Sequence, residues 1–358
     1  MAKRRPTIAD VARRVGVSKS LVSFVFNDRP GVAPETRERI LAAAREMGWR
    51  PRPSARSLSI QRSFALGLVL RRDASVLAAD AFFPAFIAGV ETVLADEGQV
   101  LVLSVVADAD AELRTYRNLA RDHRVDGVFL TDIRLADSRL DLLIELGLPA
   151  VTLGRPEPTA PFPSVDLDDQ LGVRQTVDHL LALGHRRIGY VAGDVEMLHG
   201  RRRRASFVAA MTEAGLAIDM IEDTDFSAAA GALATQRLLE RNPRPTAIVY
   251  ASDPMAVAGL GIVHGQGLRS PEDLSVAGFD GTDISRHIFP TLTTVDSDPL
   301  AWGRVAASTL LQLISKGHAD DVHLPAAQLR IARSTASPPQ PSTTSPVRTA
   351  IPATPVPH

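Results

Sequence analysis

Side chains that can hydrogen-bond are interspersed with apolar residues at helical spacing in the first 50 residues. The apolar positions are Ile8, Val11, Ala12 and Val15, and then Leu21, Val22, Val25 and Phe26. Gly16 stands where the chain must turn, and Ser18 is a natural cap for the second helix. Two helices this short bury little surface alone, so residues 36–48 are expected to add a third. The pattern predicts a helix-turn-helix head, whose second helix enters the major groove of DNA.

Charge is distributed unevenly along the chain. Residues 1–62 carry 14 Lys and Arg against 5 Asp and Glu, a net charge of +9, although the 358 residues together carry −1. A basic head on an acidic body is typical of a protein that binds nucleic acid. The chain has no cysteine, which excludes disulfides and thiolate zinc sites, and no apolar run long enough to span a membrane. The basic start lacks the apolar segment of a signal peptide, so a cytoplasmic, nucleoid-associated protein is expected.

The body has the alternating pattern of two α/β lobes. Strands are predicted at 65–70, 99–105, 127–130, 150–153, 187–191, 246–250 and 275–279, and helices at 84–97, 111–122, 138–147, 171–183, 203–214, 255–266 and 299–315. This rhythm predicts doubly wound parallel sheets, with ligands at the carboxyl ends of the strands. The fold class is therefore an all-α head on a two-lobed α/β core.

Composition divides the chain into five parts. The predicted boundaries are 1–50 for the head, 51–63 for a basic hinge connector, 64–163 with 296–323 for the N-terminal lobe, 164–295 with 324–335 for the C-terminal lobe, and 336–358 for a disordered, proline-rich tail.

Short motifs also follow one another in a recognisable order. In the head and connector they are Thr7-Ile8-Ala9-Asp10-Val11-Ala12, Gly16-Val17-Ser18, Val22-Ser23, Asn27, Gly31-Val32, Thr36-Arg37 and Ala55-Arg56-Ser57-Leu58. In the body they are Gly184-His185-Arg186-Arg187-Ile188, Asp253-Pro254-Met255-Ala256, Gly278-Phe279-Asp280 and Leu292-Thr293-Thr294-Val295. Through them the chain resembles the LacI/GalR family of bacterial transcription regulators. The resemblance implies a periplasmic-binding-protein-like core, sequence-specific DNA binding with repression as its output, and a small-molecule effector, a sugar or sugar derivative, between the lobes.

The resemblance also implies which head residues contact DNA. Lys19, Ser20 and Phe24 match positions at which the family's second helix faces base edges, and Lys19 could donate to guanine. The family usually has arginine at the position of Phe24, whose ring could contact a thymine methyl group or pack on the third helix instead. Phosphate-contacting positions are matched by Thr7, Ser18, Ser23, Asn27 and Thr36, and Gly31 belongs to the same surface.

Two connector residues complete the predicted DNA surface, Ala55 and Leu58. By resemblance, paired Leu58 side chains from two subunits form a wedge that enters the minor groove and kinks the duplex. The alternative is that Leu58 packs between domains. The family often begins this segment with Asn after the proline, where this chain has Arg52-Pro53.

Effector contacts follow from the resemblance in the same way. Arg203 matches the family's cleft arginine, and Asp280, at the end of a strand, matches its ligand-binding acid. Ser252 and Asp253 end another strand, and Ser297 lies near a crossover between the lobes. Phe82 and Phe83 match an aromatic pair at the cleft, with ordinary core packing as the alternative. Two departures limit any assignment of the effector: Gly154-Arg155 replaces an acidic residue, and the loop 71–81 is longer than usual.

These features predict a homodimer on a pseudo-palindromic double-stranded operator, with no cofactor, metal, catalytic residue or membrane partner. A free solute-binding protein would share the two lobes but would not need the basic head. An enzyme is disfavoured, since residues 259–265 miss the Gly-x-Gly-x-x-Gly spacing of a dinucleotide loop.

Overall fold

The computed structural model describes residues 6–26, 29–49, 62–157 and 160–339. Three helices form the head: α1 (Ile8–Val15), α2 (Lys19–Phe26) and α3 (Pro34–Glu46). Their apolar faces meet around Val11, Val22 and Ile40, which are fully buried. Gly16 ends α1 at φ +75°, in the left-handed conformation that glycine adopts without steric cost. The predicted helix-turn-helix is confirmed.

The N-terminal lobe is a six-stranded sheet covered by helices on both faces. Its elements are β1 (Ala65–Arg71), α4 (Ala74–Ala79), α5 (Phe82–Asp96), β2 (Val100–Val106), α6 (Ala109–Arg121), β3 (Gly127–Leu130), α7 (Ser138–Glu145), β4 (Ala150–Leu153) and β5 (Ser164–Asp166), joined later by α12 (Pro299–Lys316) and β11 (Val322–His323). The strand order is β11-β5-β4-β3-β1-β2, and the paired strands are all parallel.

The C-terminal lobe repeats this architecture. Its elements are α8 (Asp169–Ala182), β6 (Ile188–Val191), α9 (Leu198–Glu213), β7 (Ile221–Glu222), α10 (Ala228–Leu239), β8 (Ala247–Tyr250), α11 (Asp253–Gly265), β9 (Ser275–Asp280), the short 3-10 turn Asp283–Arg286, β10 (Thr293–Asp296) and β12 (Gln328–Arg330). The order is β12-β10-β9-β8-β6-β7, with only β12 antiparallel. Among the described helices, none is long and apolar enough to cross a bilayer.

Helices α5 and α12 cross at two glycines. A Cβ built on Gly89 would lie 2.1 Å from the Leu300 carbonyl oxygen, and one on Gly303 would lie 2.1 Å from that of Phe86. Only glycine permits this approach. It brings the start of α5 against Trp302 and so shapes one end of the space between the lobes.

Three predicted boundaries are corrected. Strand β5, assigned to the C-terminal lobe by the 163/164 boundary, pairs with β4 and β11 of the N-terminal sheet. Asp296, placed in the N-terminal lobe, ends β10 of the C-terminal sheet. The predicted tail also begins too early, because the Ala336 carbonyl accepts hydrogen bonds from His185 Nε2 at 2.8 Å and from Ser275 Oγ at 3.1 Å. A three-residue strand and a single extended segment carry too little periodicity to be detected in a sequence.

Candidate nucleic-acid interface and ligand cleft

Two of the predicted phosphate-contacting residues begin helices. The Thr7 amide and hydroxyl both donate to Asp10 Oδ2, at 2.9 and 2.7 Å, which fixes the first turn of α1. Ser18 Oγ accepts from the Leu21 amide at 3.1 Å and caps α2. Each contact fixes the first turn of its own helix, so both residues stabilise the head whatever else they bind.

The exposed face of α2 carries the residues predicted to read bases. Lys19, Ser20 and Phe24 point to solvent, while Val22 and Val25 on the opposite side are buried. Phe24 is 37% exposed, so part of its ring is open to a partner; whether it contacts DNA or packs on α3 stays a prediction.

The other predicted DNA contacts are less uniformly exposed. Ser23 and Thr36 are half-buried, and Gly31 is an exposed turn residue at φ +99°. Asn27, Ala55 and Leu58 lie outside the described residues, so their roles stay predictions.

Between the lobes lies a cleft of about 1010 Å³, including its open mouth. Of the residues predicted to bind an effector, five line it: Phe82, Phe83, Arg203, Ser252 and Asp280. Asp253 and Ser297 do not. The cleft thus receives side chains from α5, from α9, and from the carboxyl ends of β8 and β9.

Arg203 is the central cation of the cleft. Its Nε donates to Asp169 Oδ2 at 2.9 Å, and its Nη1 donates to the Ala251 carbonyl at 3.0 Å. The guanidinium lies over Phe279, 3.6 Å from the ring centroid. Burial raises the pKa of Asp169 even though Arg203 is beside it. Packed on a ring and held by two acceptors, Arg203 presents a fixed edge to a ligand.

Asp280 ends β9 in an uncommon backbone conformation, at φ +110°. Its carboxylate stands 3.7 Å from Arg203 Nη1, and among the described residues no hydrogen bond reaches it. Burial raises the pKa of Asp280 well above its usual value, against the opposing charge of Arg203. Backbone strain of this kind persists only where the surroundings impose it. Asp280 is therefore a desolvated acid that faces the cleft without a hydrogen-bonding partner.

Ser297 holds Asp280 rather than a ligand, because its Oγ donates to the Asp280 carbonyl at 3.1 Å. Gly281 assists at the next position, where a Cβ would lie 2.1 Å from Asp296 Oδ1. The predicted role of Ser297 is corrected from ligand contact to support of the strained residue.

Asp253 is also corrected from a ligand contact to a structural acid. Its Oδ2 accepts from the Thr282 amide at 2.7 Å and from the Thr282 hydroxyl at 2.8 Å, and its Oδ1 accepts from Thr294 Oγ1. Burial raises the pKa of Asp253 to about 6, with these hydrogen bonds opposing it. Gly278 leaves the necessary room, since a Cβ there would lie 2.3 Å from Asp253 Oδ1. The carboxylate fastens α11 to the loop after β9.

A second arginine, which was not predicted, lies in the cleft. Arg72 donates to Asp132 through Nε at 2.9 Å and Nη2 at 2.7 Å, and its Nη1 stands 3.6 Å from Asp80 Oδ2. Burial alone would raise the pKa of Asp132, but the charge and hydrogen bonds of Arg72 hold it well below its usual range. The guanidinium is 5.8 Å from the centroid of Phe226 in the other lobe. Arg72 thus joins the two walls of the cleft.

Phe226 is an aromatic residue of the cleft that no sequence pattern indicated. It adopts φ +68° and stacks on His199, with the centroids 5.2 Å apart. Gly193 makes room beside the ring, because a Cβ there would lie 1.9 Å from Cζ of Phe226. Burial, reinforced by the charge of Arg203, lowers the pKa of His199 to about 3, so the imidazole is neutral.

The wall of the cleft that the N-terminal lobe supplies is also aromatic. Phe82 meets Trp302 edge-to-face, with centroids 5.7 Å apart, and Phe83 is buried behind it. Phe82 and Phe83 line the cleft and also pack in the core of the N-terminal lobe, so a position at the cleft and core packing are not exclusive. In the C-terminal wall of the cleft, the buried Ser252 Oγ has no hydrogen-bond partner among the described residues.

A DNA-reading head joined to a two-lobed core with a polar cleft defines a ligand-responsive transcription regulator. Comparison with known proteins agrees. Residues 7–52 match the family model of bacterial regulatory proteins of the lacI family, and residues 177–335 match that of the periplasmic binding protein-like domain.

Relatives match along most of their length. The HTH-type transcriptional regulator CelR of Thermobifida fusca is 34% identical over 326 residues, 90% of this chain and 96% of CelR. The repressor CytR of Escherichia coli K12 is 33% identical over 323 residues, 88% of this chain and 93% of CytR. The lac repressor dimer bound to operator and the anti-inducer ONPF superposes with a TM-score of 0.81 at 27% identity, covering 93% of this chain and 100% of that one.

The chain therefore belongs to the lacI family of bacterial regulatory proteins. It is a DNA-binding transcriptional regulator, as its head and motifs predict.

Proposed function

We propose that this regulator is a repressor whose operator affinity is switched by a neutral, hydroxyl-rich molecule, a sugar or sugar derivative, bound in the cleft. The observation that carries the proposal is the pair of unsatisfied polar groups there. The Asp280 carboxylate can only accept hydrogen bonds, whereas Ser252 Oγ can accept or donate one. A hydroxyl group meets both needs.

The charge balance of the cleft favours a neutral ligand. Four arginines (Arg72, Arg155, Arg202, Arg203) face five aspartates (Asp80, Asp132, Asp166, Asp169, Asp280). Arg72 and Arg203 are already paired with cleft aspartates. Arg155 and Arg202 are paired with acids outside the cleft lining, Asp321 and Glu157, so none of the four arginines is left over for a phosphate or carboxylate. Aromatic rings line the cleft from both lobes, Phe82 with Trp302 from one and Phe226 from the other. They offer apolar faces to the C–H surfaces of a sugar ring.

Relatives support the same class of ligand. The structure of a CelR–cellobiose complex superposes on this chain with a TM-score of 0.71 at 31% identity, covering 92% of this chain and 100% of CelR. Its ligand is a disaccharide. From this complex we infer for this chain only the class of ligand, a sugar or sugar derivative.

Homodimerisation on a pseudo-palindromic operator belongs to the same proposal. A single head contacts one half-site, and two heads related by a twofold axis read both halves of a palindrome. The lac repressor binds its operator as a dimer. Such a regulator would act at the nucleoid in the bacterial cytoplasm.

The test is a selection of bound DNA from a random pool with the full-length chain, followed by titration of the selected operator with a panel of mono- and disaccharides. We expect a palindromic consensus and at least one sugar that shifts operator affinity. The Asp280→Asn variant should select the same operator but lose the sugar response. An operator complex insensitive to every neutral sugar and sensitive to an anion would overturn the proposed ligand class.

A further inference from the structure

An arginine from outside α2 lies on the exposed face of that helix. The Arg29 guanidinium is 5.6 Å from the centroid of the Phe24 ring, and both side chains are exposed. The Arg29 amide donates to the Phe24 carbonyl at 3.0 Å, so the two residues are also tied through the backbone.

The backbone at Arg29 is held from a second direction. Arg37 on α3 donates to the Val25 carbonyl at 3.3 Å through Nη1 and to the Arg29 carbonyl at 3.4 Å through Nη2. One guanidinium therefore joins the last turn of α2 to the segment that follows it. The origin of the Arg29 side chain is fixed relative to the recognition helix, which leaves only its rotamers free.

Phe24 limits those rotamers. A guanidinium that lies over an aromatic ring keeps its in-plane N–H groups free to donate, because the attraction uses only its face. Phe24 follows Ser20 by one helical turn on the exposed side of α2 and has no hydrogen-bonding group of its own. Arg29 supplies five donors at this position in the fork geometry that matches guanine O6 and N7.

We infer that Arg29 is a base-reading residue of this regulator, that Phe24 is the positioning residue that aims it, and that the pair reads a guanine in each half-site. The inference rests on the DNA-binding function of the head. It makes Phe24 a platform rather than a direct contact with thymine.

The experiment is a selection of operator DNA with the full-length wild-type chain and with Arg29→Ala, Arg29→Lys and Phe24→Leu, each followed by affinity and salt titrations. For Arg29→Ala we expect loss of one guanine preference per half-site and a tenfold to hundredfold weaker complex with the wild-type operator. Arg29→Lys keeps the positive charge but removes the paired guanidinium donors. Phe24→Leu keeps an apolar side chain but removes the aromatic ring. Both variants should weaken the preference for guanine at the same operator position.

Arg45→Ala is the control, because it removes an exposed charge from α3. It should leave the selected sequence unchanged. If Arg29→Ala weakens binding to all sequences equally and lowers the salt slope by about one, Arg29 contacts phosphate and the inference is wrong. An unchanged consensus in Phe24→Leu overturns the platform role. Failure of the wild type to select any consensus would instead overturn sequence-specific recognition by the head. Thermal unfolding checks that each variant is folded.

Discussion

Replacement of Asp280 by asparagine should change stability and ligand binding in opposite directions. Asparagine has nearly the same shape and tolerates positive φ, so the strained backbone at +110° is retained. The substitution removes the charge of the buried Asp280 carboxylate. No described residue hydrogen-bonds this carboxylate, and it lies 3.7 Å from Arg203 Nη1. We therefore expect Asp280→Asn to be more stable than the wild type.

The expected gain is about 1–2 kcal/mol at neutral pH, typical of removing a feature that serves function at the expense of stability. Because burial raises its pKa, Asp280 retains its proton in the folded protein to a higher pH than in the unfolded chain. Its contribution is therefore favourable below the unfolded pKa of about 4 and is lost as the pH rises. The advantage of Asp280→Asn over the wild type should grow with pH accordingly.

Ligand binding should weaken in the same variant. A hydrogen bond to a charged acceptor contributes about 1.5–3 kcal/mol, which corresponds to a loss of about tenfold to a hundredfold in affinity. Of the two tryptophans, Trp302 lines the cleft and Trp49 packs in the head. In a Trp49→Phe background, fluorescence of Trp302 can therefore report sugar binding. Urea unfolding between pH 5 and 8 supplies the stability. A variant less stable than the wild type by 1 kcal/mol or more would refute the view of Asp280 as an unsatisfied ligand acid.

Three further outcomes are expected. Gly193→Ala should displace the Phe226 ring and weaken sugar binding about tenfold, measured by Trp302 fluorescence, with operator affinity unchanged in the absence of sugar. Asp253→Ala should lower the free energy of unfolding by about 3 kcal/mol or more in urea, because the Thr282 amide and two threonine hydroxyls lose their acceptor; a change below 1 kcal/mol would contradict its structural role. Raising salt from 50 to 200 mM should weaken operator binding by about a thousandfold but leave sugar binding nearly constant, since the head carries a large net positive charge whereas the arginines and aspartates of the cleft nearly cancel. Equal salt dependence of operator binding and sugar binding would contradict this expectation.

The parts of the fold that follow a strong period were predictable from the sequence. The head and the long helices repeat apolar residues every three or four positions, and strands such as β1 are continuous apolar runs. Short elements were not predictable. Strand β7 has two residues, so nothing marked Phe226, which follows it on a loop, as a cleft residue.

The positions of cleft residues could also be predicted, but the directions of their side chains could not. The rule that ligands bind at the carboxyl ends of strands placed Ser252 and Asp280 correctly, and applied to β1 and β3 it would also have indicated Arg72 and Asp132. The rule cannot tell which way a side chain turns. Asp253 follows Ser252 directly, yet as the first residue of α11 it turns into the lobe to meet Thr282 and Thr294.

The late position of α12 in the chain has a consequence for synthesis on the ribosome. Residues of α12, such as Ala306 and Leu310, cover Leu66, Phe86 and other side chains of the N-terminal sheet. More than a hundred residues separate β5 from α12, so at about 5–20 residues per second the nascent lobe waits on the order of ten seconds for its cover. During that interval most of the C-terminal sheet is translated, while the face of the first sheet that α5 and α12 cover together lacks one of these two helices. Chaperones that act on nascent chains would meet this regulator at that face.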